Sequence, residues 1–293
     1  MPAELFASLA PTPLAERLRP KALGDILGQD HLLGTEGPIG RMLAAKKLSS
    51  LILWGPPGCG KTTIARLLAE AVDLHFEPLS AVFSGVADLR RIFEAARQRR
   101  RDGKGTLLFV DEIHRFNRAQ QDGFLPYVED GTVTLVGATT ENPSFELNAA
   151  LLSRCQVLVL RRLDDVSLSV LLDRTEMALG KTLPIDEQGR QTLFALADGD
   201  GRYLITLAEQ LGQLKEKGPV PPARLAKLLQ KRAPLYDKAG SPLQPDQRAA
   251  QVAARLRRRR RALLVRPHAR WRRGPQVHRP PAGALRRRGY RHG

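Results

Sequence analysis

Residues 55–62 read GPPGCGKT, a glycine-studded octapeptide set between the apolar run LILW (51–54) and the helical pattern TTIARLLAEAV (62–72). A loop of this composition at a strand-to-helix turn has few ways to fold. Gly55, Gly58 and Gly60 let the backbone curl until successive N–H groups point inward, and the helix that follows adds the positive end of its dipole. The result is a cradle for phosphate. In such a cradle Lys61 reaches the β- and γ-phosphates of ATP and the Thr62 hydroxyl ligates Mg2+, while Gly55, Pro56, Pro57, Gly58, Cys59, Gly60 and Thr63 complete the binding segment. A purely structural glycine turn is the competing reading, and the strand before and helix after the loop weigh against it.

The rest of the chain keeps the same rhythm. Short apolar runs at 51–54, 75–79, 106–110, 132–138 and 156–160 alternate with helical patterns, which predicts an α/β fold with a five-stranded parallel sheet covered by helices. The runs show no polar alternation, so both faces of each strand are expected to be buried. After Leu160 the strands stop. Residues 164–180, 186–197, 202–214 and 221–232 space their apolar residues three and four apart, as amphipathic helices do. The expected organisation is a nucleotide-binding part over 1–160, an all-helical lid over 161–236, and an irregular linker and tail over 237–293.

LLFVDEIH (107–114) is an apolar strand that ends in two carboxylates, where a nucleotide's metal and its attacking water must both be reached. Asp111 is expected to hold Mg2+ through its water shell, and Glu112 to orient and deprotonate the water. VGATTEN (136–142) again puts polar residues at a strand end. Thr140 is the first choice for a sensor of the γ-phosphate, Asn142 the second, and a simple turn or helix cap the alternative. Arg154 lies far along the chain from its own phosphate loop, so its candidate role is to reach a neighbouring subunit's γ-phosphate; a plain surface ion pair competes. Arg202, opening a helix after DGD, is placed to couple the lid to the nucleotide, or else lies on a helix surface. The arginines at 97, 99, 100 and 101 fit a solvated helix end as well as a DNA contact. His114 reads as a hydrogen-bonded core or loop histidine, because no other His or Cys is spaced to share a metal with it.

Bulk composition narrows the function classes. No run approaches the length of a bilayer span, and the first twenty residues lack a basic segment followed by an apolar one, so neither membrane insertion nor secretion is expected and a cytoplasmic location is. The two cysteines, Cys59 and Cys155, are expected to be reduced and structurally incidental. The net charge of +17 suggests nucleic acid, but sixteen arginines and no acidic residue lie between Gln247 and Gly293. The first 246 residues therefore carry about +1, and overall basicity is no evidence for DNA binding.

LAERLRPKALGDILGQDHLLG (14–34), GPPGCGKTT (55–63), SAVFSGVADLR (80–90) and FVDEIHRFNRAQQDGFLPYVEDGTVTLVGATTENPSFELNAALLSRC (109–155) together resemble the replication-associated recombination protein A family of AAA+ ATPases, with the Werner-helicase-interacting ATPases of eukaryotes. Clamp loaders and the Holliday-junction motor share the first motifs; HRFNRAQQD and ATTENPSFELN are the family-specific ones. The resemblance runs over about 14–239. It implies a P-loop AAA+ core with a helical lid, and a DNA-dependent ATPase of replication-fork maintenance, recombination and repair. It also implies nucleoid-associated action on forks, gaps or single-stranded ends, contact with single-strand-binding protein, and a homotetramer. A clamp-loader-like ATPase and an ATP-gated adaptor with little turnover are the alternatives. Where the family usually has GDARRALN this chain has GDGRYLIT (199–206), which keeps Arg202 and changes the lid packing at Tyr203 and Thr206.

Beyond YDKAG (236–240) the resemblance implies a further helical oligomerisation domain, whereas this chain turns arginine-rich. Back-translated with GC-rich codons and reread one frame over from Pro242, the tail gives an amphipathic sequence similar to that domain. A shift of reading frame near Ser241 is therefore expected, in preference to a disordered basic arm.

Overall fold

A computed structural model describes residues 12–214 and 218–230 of the chain. The arginine-rich tail, with the reading-frame expectation attached to it, lies outside these residues. Five strands, β1 (Leu51–Trp54), β2 (His75–Ser80), β3 (Thr106–Asp111), β4 (Thr134–Thr139) and β5 (Gln156–Val159), form one sheet in the order β2-β3-β4-β1-β5. Every pairing is parallel, with Leu51 opposite Val136 and Gln156, Phe109 opposite Val136, and Ser80 opposite Asp111. Parallel neighbours need crossover segments, and those segments cover the faces.

Four short helices, α1 (Leu14–Arg17), α2 (Asp30–Leu33), α3 (Pro38–Ala44) and α4 (Lys61–Ala71), precede or follow β1, and α5 (Val86–Arg101) joins β2 to β3. The segments α6 (Arg118–Asp122), α7 (Leu125–Glu129), α8 (Pro143–Glu146) and α9 (Ala149–Leu152) flank β4. One apolar cluster packs Ile39, Ile64 and Leu68 against Leu51, Leu53, Leu107 and Phe109 on one sheet face. A second packs Leu89, Phe93, Phe124 and Leu151 against Ile52, Leu108 and Leu135 on the other. The two faces correspond to alternate residues of the same strands, as the period-two pleat requires.

The expectation that all five strands are buried on both faces is corrected at the sheet margins. Val157 and Val159 of β5 are 37% and 50% exposed, because β5 has a neighbour on only one side. β2 is the opposite margin and tolerates Pro78, which has no N–H to give. The fourth run begins its pairing at Thr134 rather than at residue 132.

The four helical patterns after β5 are α10 (Asp165–Leu179), α11 (Glu187–Ala197), α12 (Gly201–Gly212) and α13 (Pro222–Gln230). Asp164, Asp186 and Asp200 cap the first three, accepting from the backbone N–H of Ser167, Gly189 and Tyr203 at 2.8, 2.8 and 2.9 Å. Each cap satisfies a donor that the first helical turn leaves free. These helices enclose their own core around Leu172, Leu193, Leu204, Leu211 and Leu225, against which Tyr203 packs. Thr206 donates its hydroxyl to the Arg202 carbonyl at 3.1 Å, so both departures from the family lid pattern are accommodated. None of the helices among the described residues is long and apolar enough to cross a membrane.

The contrast between centre and margin has a measurable consequence. Leu53→Ala, at a fully buried position of β1, is expected to lower unfolding free energy by about 2–5 kcal/mol. Val159→Thr on exposed β5 is expected to cost less than about 0.5 kcal/mol. Urea denaturation of both variants beside the parent checks the difference.

Candidate nucleotide site

β1, β3 and β4 are neighbours and run the same way, so the loops after them emerge at one edge of the sheet. A cavity of about 420 Å³ lies there, within the usual range for a ligand pocket. Its walls include Pro57 to Thr63 of the glycine loop, Asp111 at the end of β3 and Glu112 after it, Thr140 after β4, and Gly201 and Arg202 of α12. The lysine loop and the acidic strand end thus converge on a single space.

Gly58 and Gly60 adopt φ of +67° and +99°, the left-handed conformations that bend the loop into α4. At Gly58 there is a second reason for glycine: a Cβ would lie 1.7 Å from Asp200 Oδ1. The lid touches the loop at this point, and the Gly201 N–H donates to the Gly58 carbonyl at 3.3 Å. Gly55 and Pro56 do not line the cavity; they hold the lysine. Lys61 Nζ donates to their carbonyls at 2.9 Å each, which satisfies a buried ammonium. The Cys59 thiol donates to the Pro56 carbonyl at 3.0 Å, and burial raises its pKa against the opposing charge of Lys61. Burial alone pushes the Cys155 thiol up to about 12.

The residues present suit a Mg2+–nucleotide. The metal takes few protein ligands and keeps waters and phosphate oxygens, so one hydroxyl (Thr62) and one carboxylate (Asp111) beside a phosphate cradle form an adequate donor set. Among the described residues no cluster of three or more His, Cys, Asp or Glu is placed to hold a metal by itself.

Thr140 lines the cavity, whereas Asn142 accepts from the Ser144 N–H at 3.0 Å and caps α8. Arg202 lines it too, and its charge is felt at Glu16. The Glu16 carboxyl is held below its ordinary range chiefly by its hydrogen bond to Arg19, opposed by burial and assisted by the charges of Arg19, Arg66 and Arg202. Arg154 takes no part in this chain's own cavity. Its Nε donates to Glu129 Oε1 at 2.5 Å and its Nη1 to the Ala150 carbonyl at 2.7 Å, so within one chain it forms the surface ion pair. Three of the four arginines ending α5 are likewise engaged: Arg97 lies 4.7 Å over the Tyr127 ring, Arg99 pairs with Glu77 at 2.8 Å, and Arg100 with Asp130 at 3.7 Å. His114 is hydrogen-bonded in the interior, to the Thr139 hydroxyl.

The sequence patterns did not reveal the apolar part of the cavity lining. Leu18, Pro20, Ile26, Leu27, Leu171 and Ile205 contribute to it, and Arg174, which also lines the cavity, donates to the Asp25 carbonyl at 2.9 Å. On helices 171 and 205 read as ordinary core positions. Gln29 was also missed: fully buried, it donates to the Arg161 carbonyl at 2.8 Å and accepts from the Arg161 N–H at 3.1 Å, fastening the segment before α2 to the end of β5.

The fold, the phosphate loop and the acidic strand end define a P-loop ATPase of the AAA class, and the sequence pattern of the ATPase family associated with various cellular activities (AAA) matches residues 51–163. Within that class the chain is similar to the replication-associated recombination protein A family. It is 43% identical over 238 residues to that protein of Escherichia coli (strain K12) and 46% identical over 237 residues to that of Coxiella burnetii, covering 78% of this chain and 53% of the relative in each case. It is 44% identical over 201 residues to the ATPase WRNIP1 of Dictyostelium discoideum, covering 67% of this chain and 23% of that one. The chain thus spans about half the length of the bacterial relatives. Among solved structures, the Thermotoga maritima RuvB Holliday junction branch migration motor superposes with a TM-score of 0.61 at 27% identity, covering 77% of this chain and 76% of that one.

Two outcomes follow from the geometry. Gly58→Ala forces both the left-handed backbone and the Asp200 contact, and is expected to weaken binding of a fluorescent ATP analogue by about tenfold or more, at a strain of about 1–3 kcal/mol. Titration of the analogue measures it. Both thiols, buried and with raised pKa, are expected to resist a thiol-reactive chromophore at pH 8 until the protein is unfolded, whereupon both react.

Proposed function

We propose that this chain is the ATP-hydrolysing core and lid of a DNA-dependent motor that acts in replication-fork maintenance, recombination and repair. The observation that carries the reading is the shared cavity, into which four sequence-distant segments bring a lysine, a threonine hydroxyl, two carboxylates, a second threonine and an arginine. In this reading residues 1–160 form the nucleotide-binding part and 161–236 the lid. Lys61 binds the β- and γ-phosphates, and Thr62 and Asp111 hold Mg2+, which neutralises phosphate charge when bound. Glu112 takes the proton of the attacking water, Thr140 reports the γ-phosphate, and Arg202 moves the lid with it. Arg154 leaves Glu129 to meet the γ-phosphate of the next subunit, a task suited to a planar, delocalised cation.

The relatives' names support the biological setting. A protein of replication-associated recombination and a branch migration motor both bear this core. DNA at forks, gaps or single-stranded ends is the proposed partner, with single-strand-binding protein beside it, a tetramer as the working assembly and the nucleoid as its location.

Phosphate release from ATP, measured with and without gapped and single-stranded DNA, tests this reading. Glu112→Gln is expected to retain ATP binding and lose about 10²–10⁴ of the rate, as removal of a general base does. Lys61→Ala is expected to lose binding itself. Full activity in Glu112→Gln, or no hydrolysis by the parent on any DNA, overturns the proposal.

A further inference from the structure

Immediately after Glu112 the chain makes one turn of 3-10 helix, Ile113–Arg115, and this turn carries His114 inward. The histidine side chain is only 7% exposed. Its Nδ1 lies 2.9 Å from Thr139 Oγ1 and 3.3 Å from Glu112 Oε2. Thr139, the last residue of β4, is fully buried, and its hydroxyl also accepts from the Glu141 N–H at 3.0 Å and lies 3.3 Å from the Glu141 carbonyl.

These contacts favour one placement of protons. An ionised carboxylate only accepts, so a hydrogen on the ring nitrogen 3.3 Å from Glu112 Oε2 is favoured over a lone pair there. Nδ1–H then donates to the Thr139 oxygen, with the Glu112 carboxylate beside it as an electrostatic contact. The hydroxyl proton of Thr139 is left to donate to the Glu141 carbonyl, and its oxygen accepts from both His114 and Glu141. Each polar group in the set gains a partner, as a buried network requires.

The consequence falls on Glu112. Its backbone is in the left-handed region at φ +52°, uncommon for a residue with a side chain, and its side chain, about a third exposed, faces the cavity. With Oε2 drawn to the Nδ1–H side of His114 at 3.3 Å, Oε1 is the oxygen left for water. Thr139 adjoins Thr140, which lines the same cavity. We propose that His114 is a positioning residue for ATP hydrolysis: in its Nδ1–H tautomer it fixes the Glu112 carboxylate and, through Thr139, references it to the end of β4 that carries Thr140. This inference rests on Glu112 acting as the base. No role was assigned to either His114 or Thr139 in that reading.

Two measurements test it. In steady-state hydrolysis, His114→Ala and Thr139→Val are expected to lower kcat by about 10- to 100-fold, the effect of misplacing a reacting group by about an ångström, with KM and ATP-analogue affinity unchanged. Thr139→Ser keeps the hydroxyl and is expected to stay close to the parent. Parental kcat in His114→Ala overturns the inference while leaving the function of Glu112 intact. Independently of turnover, side-chain ¹⁵N chemical shifts of the parent protein are expected to show His114 protonated on Nδ1, and to lose that preference in Glu112→Ala. A neutral ring protonated on Nε2 in the parent overturns the proposal even if the assay finds no hydrolysis, and failure of Glu112→Gln to slow turnover identifies an error in the base assignment instead.

Discussion

The parallel direction of three adjacent strands sets everything else in the molecule. Because β3, β4 and β1 lie side by side and point the same way, whatever follows each strand appears at the same edge. Chain segments separated by some thirty to eighty residues thereby share one small space, the arrangement by which open α/β sheets make ligand crevices at their carboxyl ends. The same parallel pairing forces long returns between strands. Those returns bury both faces of the central strands, which fits the largely apolar sequences of β1, β3 and β4 between their polar ends.

The helical region matters because it rests on the phosphate loop rather than beside it. Asp200 serves two purposes, capping α12 and filling the space above Gly58, so the first turn of α12 follows any change in the loop's height. Arg174 ties α10 to the segment before α2, and Glu16 with Arg19 lies within the field of Arg202. Arg19 also donates to Thr63 Oγ1 at 3.3 Å, the residue after Thr62. A ligand here touches the sheet edge, the N-terminal segment and the lid together, so it has differential contacts with which to shift their relative arrangement.

Much of this was legible in the chain, and for a physical reason. Local signals such as GPPGCGKT between a strand and a helix, the apolar run ending in Asp111 and Glu112, and the three- and four-residue apolar spacing of the helices after β5 depend on neighbours in sequence. They mark the polar lining of the cavity well. Its apolar lining was illegible, because Leu171 and Ile205 obey helical spacing like any core residue, and only the packing of α10 and α12 shows which of them face the cavity. Gln29 has its partner 132 residues away, and Thr139 has His114 on a different strand end. The exposure of β5 was misjudged because Val157 and Val159 look like buried strand until the strand order is known. Arg154 is the converse case, since its ion pair with Glu129 describes a single chain and its proposed role belongs to an assembly.

The hydrogen bonds of Lys61 to the carbonyls of Gly55 and Pro56 bear on how tightly anything is held. In the proposed reading, an ammonium already satisfied by two neutral acceptors gives them up when phosphate arrives, so affinity reflects an exchange of acceptors rather than the full attraction of opposite charges. A product with one phosphate fewer regains less from that exchange. Release is thereby eased by the loop itself, which always has somewhere else to put its charge.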